Sequence, residues 1–220
     1  MSKVKLIWVT PDAEKHIMYC ARVSNPKNQD SGNTGLLQYC MNHGHWSIFE
    51  MAHMCVEITT TRAIAAQILR HRSFSFQEFS QRYAECTELV PTTPRRQDNK
   101  NRQNSIDDLN ADTLTWWDCA EYDVHKTSMR LYKEALDKGI AKECARMLLP
   151  MAAKTKLYMV GSMRSWLTYC YTRCHPSTQK EHRDIALQCR DLLEQQIPNV
   201  PRIIDINIST ESINKLLNGE

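Results

Sequence analysis

The sequence predicts an α/β fold of the α+β kind, a single domain over residues 1–220 with a small central sheet flanked by long helices. Two patterns point to it. Alternating, β-branched segments come early, and apolar periodicity of helical type dominates after residue 110. Length and composition bound it: 220 residues at 42% hydrophobic content suit one sizeable core.

Lys3–Val9 reads as a first strand. Thr10-Pro11-Asp12 then reads as N-cap, N1 proline and first-turn acid of a helix running to Val23. After a polar loop, Leu36–Asn42 has helical spacing, with Gly44 where a C-terminal glycine belongs. Ala52–Thr60 alternates and reads as a strand. Thr61 caps a helix over Arg62–His71, with Ile64, Ala65, Ile68 and Leu69 on one face. Residues 87–112 form a polar, basic loop excursion without periodicity. A long amphipathic helix follows from Leu114 to Lys138, closed by Gly139, and a second from Ala141 to Leu149, stopped by Pro150. Lys156–Val160 is a short extended piece. Thr155 or Ser162 starts the next helix, which holds Arg164, Trp166, Tyr169 and Arg173. Thr178-x-x-Glu181 is a capping box opening a helix to Gln196. The tail, residues 202–220, is weakly patterned and reads as an arm or a frayed end.

Composition excludes several classes. The chain has 6 Gly, where average usage of roughly 7% would give about 15. No G-x-G-x-x-G and no Walker A pattern occurs, which excludes a Rossmann dinucleotide domain and a P-loop NTPase. A net charge of +3 is too weak to imply nucleic-acid binding. The 9 Cys are odd in number and contain no C-x-x-C pair, so reduced thiols in the cytoplasm are expected. No apolar run is long enough for a signal peptide or a membrane span.

Three clusters carry possible chemistry. Arg70-His71-Arg72 leads through a Ser/aromatic turn to Glu78, Ser80, Arg82 and Tyr83. If that second part is extended, Glu78, Ser80 and Arg82 share a face. A guanidinium fork beside a hydroxyl suits a phosphate monoester. Alternatively, Arg and His at a helix C-terminus merely complement its dipole. The second cluster is His43-Gly44-His45 through Phe49-Glu50, with His53 nearby. Its spacing is not that of a metal site, and no metal is expected. The third is Arg146, Arg164 and Arg173 on late helices. Arg146 lies in an apolar run, so it meets either an acid or a bound anion. The Arg95–Arg102 loop, with Trp116 and Trp117 near, offers the alternative of a nucleic-acid-binding module; solvated surface is the preferred reading.

The run Arg70, His71, Arg72, Ser75, Glu78, Ser80, Arg82 and Tyr83 resembles the signature of flavin-dependent thymidylate synthases, R-H-R-x-x-S-x-N-E-x-S-x-R-Y. Gln77 stands where the family usually has Asn. Further matches fall in family order: Ala21 to Ser24, His43 to Glu50, Gln67, Ala145-Arg146 through Pro150, Arg164 and Arg173. The resemblance spans about residues 18–195 and implies a homotetramer with active sites at subunit interfaces. It implies FAD reduced by NADPH, and methylation of dUMP to dTMP with methylenetetrahydrofolate becoming tetrahydrofolate. By position, it assigns Ser47, Arg70, His71, Arg72, Glu78, Ser162, Arg164 and Thr168 to the flavin. It assigns Gln67, Arg70, Glu78, Phe79, Ser80, Gln81, Arg82, Arg146 and Arg173 to dUMP. His45 would sit near flavin and folate, and Arg173 would stabilise negative charge developing on the uracil. Neither a membrane nor a nucleic-acid partner is implied.

Overall fold

The computed structural model describes residues 2–200 and 210–218. Six strands form: β1 (Lys3–Val9), β2 (His53–Thr61), β3 (Ser75–Glu78), β4 (Arg96–Gln97), β5 (Ser105–Ile106) and β6 (Lys154–Ser162). The main sheet is antiparallel, in the order β1-β2-β6-β3. Its helical partners are α1 (Ala13–Ala21), α2 (Gly35–Asn42), α3 (Arg62–Ile68), α4 (Ala111–Asp137), α5 (Lys142–Ala145), α6 (Met163–Arg173), α7 (Lys180–Gln196) and α8 (Thr210–Asn218).

Alternation builds the core. Met54, Val56 and Ile58 of β2 and Leu157 and Met159 of β6 point to one face and are fully buried. There they meet Trp166, Leu167 and Cys170 of α6 and Ile185, Cys189 and Leu193 of α7. The other face carries Glu57, whose carboxylate accepts from Tyr158 Oη (2.9 Å) and pairs with Lys156 (3.2 Å). One covered and one polar face is the usual state of an antiparallel sheet. Gly161, near the end of β6, lets Phe74 lie against the strand; a Cβ there would stand 2.6 Å from the ring.

Several expectations are corrected. The short extended piece at 156–160 is a nine-residue central strand, because Thr155, Leu157, Met159 and Gly161 alternate inward throughout. The helix expected over Arg62–His71 ends at Ile68, and that expected to reach Val23 ends at Ala21. Thr10 does not cap α1: its hydroxyl accepts from His53 N (2.9 Å), locking β1 to β2, and Asp12 occupies the cap at φ 48°. Gln179, not Thr178, precedes α7, since the Glu181 side chain that would close a capping box is taken by Arg95. The helix expected over 141–149 breaks into α5 and a 3₁₀ turn, Arg146–Leu148; Leu149 is extended, as a residue before proline tends to be. The excursion contains the β4–β5 hairpin and the start of α4, whose cap Asn110 accepts from Thr113 N (2.8 Å). Of the tail, 202–209, 219 and 220 lie outside the described residues. The rest is α8, a docked helix: Trp46 Nε1 donates to Ser212 O (2.9 Å), and Leu216 is buried.

Candidate active site

Thr61 Oγ1 accepts from Ile64 N (3.4 Å) and starts α3. After Ile68 the chain turns, which leaves Arg70 and Arg72 exposed and tips His71 inward. Arg173, the last residue of α6, donates from Nε to His71 Nε2 at 3.0 Å. Because Nε2 accepts, the imidazole proton sits on Nδ1. Burial, reinforced by the Arg173 and Arg70 charges, lowers the His71 pKa from 6.5 to about 4. The ring is therefore neutral near pH 7. It meets Tyr169 edge-on at 5.0 Å.

A second neutral histidine stands behind it. His182, on α7, is only 1% exposed. Burial, then the Arg173 charge, lowers it to about 4. Its Nδ1 donates to Gln67 Oε1 (3.3 Å), and its Nε2 accepts from Tyr169 Oη (3.1 Å). Gln67 Nε2 donates in turn to Gln179 Oε1 at 2.6 Å.

The expected shared face of Glu78, Ser80 and Arg82 does not form. β3 ends at Glu78, and the chain then turns, with Ser80 O accepting from Tyr83 N and Ala84 N (both 3.1 Å). Ser80 Oγ instead accepts from Arg82 N (3.3 Å). The Glu78 carboxylate takes a hydrogen bond from Thr155 Oγ1 (2.9 Å) and an ion pair from Arg62 (2.5 Å). Arg82 pairs with Glu143 at 3.0 Å, and Arg146 Nε donates to the Glu143 carbonyl at 3.2 Å. Arg146 is half-buried rather than sealed in an apolar run: its neighbours Met147 and Leu148 are exposed. Phe79 lines a groove of about 590 Å³ with Thr60, Cys86, Val90 and Thr155. Gln81 is buried, and its Nε2 has no partner.

A third group lies at the other end of β6. Ser162 is buried and caps α6, accepting from Ser165 N at 3.2 Å. The Arg164 guanidinium, 13% exposed, faces Glu50 (3.6 Å) and the Lys215 carbonyl (3.4 Å). Thr168 Oγ1 donates to Arg164 O (3.1 Å). Ser47 and His45 are exposed; Ser47 lies in the 3₁₀ turn Trp46–Met51, and His45 immediately precedes it. Within one chain, the contacts thus join Gln67, His71 and Arg173 through His182 and Tyr169. They join Arg82 to Arg146 through Glu143. The Ser162 group reaches the segment after Arg72 through Ser165, whose Oγ lies 3.2 Å from Ser162 Oγ and donates to Ser73 O (3.0 Å).

Arg62, Glu143, Gln179 and His182 were not singled out from the sequence, and Glu181 was read only as part of a capping box. Arg62 carried a signal: a cation in the first turn of a helix opposes its dipole and implies an acid nearby. The other four have none, because their partners are brought in by tertiary contact. In the basic excursion, Arg95 pairs with Glu181 (2.7 Å) and Arg96 makes a two-pronged contact with Asp108 (2.8 and 2.7 Å). Those two guanidiniums are committed to acids of the same chain. Among the described residues no three His, Cys, Asp or Glu side chains gather as a metal site. All nine cysteines are free thiols, and six are buried. No helix among the described residues is long and apolar enough to cross a membrane.

A family model described as "Thymidylate synthase complementing protein" matches residues 5–199. The flavin-dependent thymidylate synthase of Synechocystis sp. is 56% identical over 189 residues, which are 86% of this chain and 88% of that protein. The chain belongs to the flavin-dependent thymidylate synthase family. A probable member from Paramecium bursaria Chlorella virus 1 is 50% identical, over 88% of this chain and 91% of its own. The fold is also that of a UMP/dUMP methylase, PolB from Streptomyces cacaoi, solved with 5-Br dUMP. That structure gives a TM-score of 0.82 at 24% identity, covering 93% of this chain and 94% of the other.

Proposed function

We propose that the chain methylates dUMP to dTMP, taking the one-carbon unit from methylenetetrahydrofolate and releasing tetrahydrofolate, with FAD as the flavin and NADPH as its reductant. One observation carries the reading. The His71–Arg173 contact unites two parts of the family pattern that lie 102 residues apart. It leaves a neutral imidazole beside a permanent cation.

The residues fit a flavin dinucleotide and a nucleotide phosphate. Among the described residues Arg70 and Arg72 have no carboxylate partner, so two exposed cations stand ready for a diphosphate. Gln81 follows Ser80 and precedes Arg82 in the chain, and its buried Nε2, a donor without an acceptor, favours an incoming anion. When bound, FAD supplies hydride transfer; the protein supplies orientation and electrostatics. Arg70, His71 and Arg72 hold the flavin, with Ser47, Glu78, Ser162, Arg164 and Thr168. Ser80 and Arg82 hold the phosphate, beside Phe79 and Gln81, and Gln67 and Arg146 orient dUMP. Arg173 offsets the negative charge that develops on the uracil. Arg82 exchanges Glu143 for the phosphate. His45 lies toward flavin and folate. We assign the protein to the cytoplasm, where its free thiols stay reduced.

The assembly is a homotetramer with composite sites. The test is the purified protein's spectrum and its turnover. A yellow protein releasing FAD, with tritium release from C5 of dUMP that depends on both NADPH and methylenetetrahydrofolate, is expected. A colourless protein that takes up no added FAD overturns the reading.

A further inference from the structure

A single line of hydrogen bonds runs from the core to the excursion. Tyr169 Oη donates to His182, His182 to Gln67, Gln67 to Gln179, and Gln179 Nε2 to Glu181 Oε2 (2.9 Å). Every donor points the same way, and the line ends on a carboxylate. Arg95 grips the same carboxylate through both oxygens, with contacts of 2.7 and 2.9 Å. Its Nε donates to Ser105 Oγ (2.9 Å), so one guanidinium ties β5 of the hairpin to α7. The Arg95 side chain is 11% exposed. Burial works against the Glu181 charge, but the Arg95 hydrogen bond and its companions hold the carboxyl below its usual range.

The hairpin presenting Arg95 is itself stapled. Asp98 accepts from Lys100 N (2.8 Å) and Asn104 Nδ2 (2.9 Å), and Arg96 grips Asp108. A glutamine amide has nearly the same shape with oxygen and nitrogen exchanged, so only its partners fix which is which. Gln67 has two fixing partners. His182 is set from the core side by Tyr169. Gln179 is set from the hairpin side by Glu181 and Arg95. The amide keeps one lone pair and one N–H unused, the complement of an imide edge such as that of uracil.

We propose that the β4–β5 excursion is a latch on the nucleotide pocket: Arg95, through Glu181 and Gln179, holds the Gln67 amide in the orientation that dUMP requires. Arg95 and Glu181 are then positioning residues, and the excursion has a role in substrate selection. This rests on the assignment of Gln67 to dUMP.

The experiment measures dUMP affinity, KM and kcat on the FAD-loaded enzyme, with flavin content as the check on folding. The variants are Glu181→Gln, Arg95→Ala, Gln67→Ala and the Gln67→Ala/Glu181→Gln double. Glu181→Gln is nearly isosteric and removes a negative charge from the neighbourhood of a dianion. Simple charge attraction would tighten dUMP binding in that variant. The latch instead weakens it about tenfold, raising KM more than it lowers kcat, and Arg95→Ala does the same. In the Gln67→Ala background Glu181→Gln adds no further loss, because residues acting through one another are not additive. If Gln67→Ala binds dUMP normally, the nucleotide assignment of Gln67 fails and the latch with it. If Gln67→Ala weakens binding but the Arg95 and Glu181 variants do not, or their losses multiply with it, the latch alone fails.

Discussion

At the scale of single residues, the site is built from groups whose protonation is set by burial. His182 titrates at about 4 in the fold and near 6.5 in an unfolded chain. The native state therefore binds fewer protons than the unfolded state between those values. Its stability is full above pH 6.5 and falls as pH drops toward 4. His182→Gln should reduce the loss of stability between pH 7 and pH 5 by about 1–2 kcal/mol, read from denaturant midpoints at the two pH values. An unchanged pH dependence would show that His182 titrates normally. Arg82→Ala should weaken dUMP about 10–100-fold, the usual range for losing a charge-assisted contact; equal affinity would remove Arg82 from the phosphate. Arg173→Ala should lower turnover far more than flavin occupancy, and parallel loss of the two would contradict a role at the uracil. The arginines and His71 were legible in the sequence because their spacing is a signature. His182 and Gln179 were not, because a line of side chains from three helices has no linear pattern.

At the scale of elements, caps and alternation were readable and endings were not. Thr61 and Ser162 cap as their positions imply, since each precedes a helical run with a free hydroxyl. The strand at β6 was underestimated because lysines and a glycine dilute its alternation. Period two continued through them, with Lys154, Lys156 and Tyr158 simply facing outward. The turn after Glu78 was invisible, as nothing in Phe79-Ser80-Gln81 breaks an extended reading. Gly161 shows how tightly the elements meet. Phe74 fills the space a Cβ would take and stacks edge-on against Trp166 at 4.8 Å. Gly161→Ala should destabilise the protein by about 1–3 kcal/mol through overpacking, measured by urea unfolding. A neutral result would mean the ring moves aside freely.

At the scale of the whole molecule, the unusual feature is α4. Of its 27 residues only Tyr132 and Ala135 are buried, while Trp116, Tyr122 and Val124 are more than half exposed. Such a surface suits burial between copies. Light scattering should give four times the 25.6 kDa chain mass. Trp116→Glu with Val124→Glu should lower that mass and the activity together; a full-sized, active double variant would exclude α4 from the interface. The central strand adds a consequence of its own. β6 carries Glu78 opposite Leu157 and the Ser162–Arg164 group at its end, and the five-residue step from Leu157 to Ser162 sets these about 17 Å apart at ~3.3 Å per residue. In the proposed homotetramer, a separation of that length lets one chain contribute to two different sites. Two inactive variants, one changed at Arg82 and one at Arg164, would then rescue each other when mixed into a common assembly, because some sites inherit both intact halves.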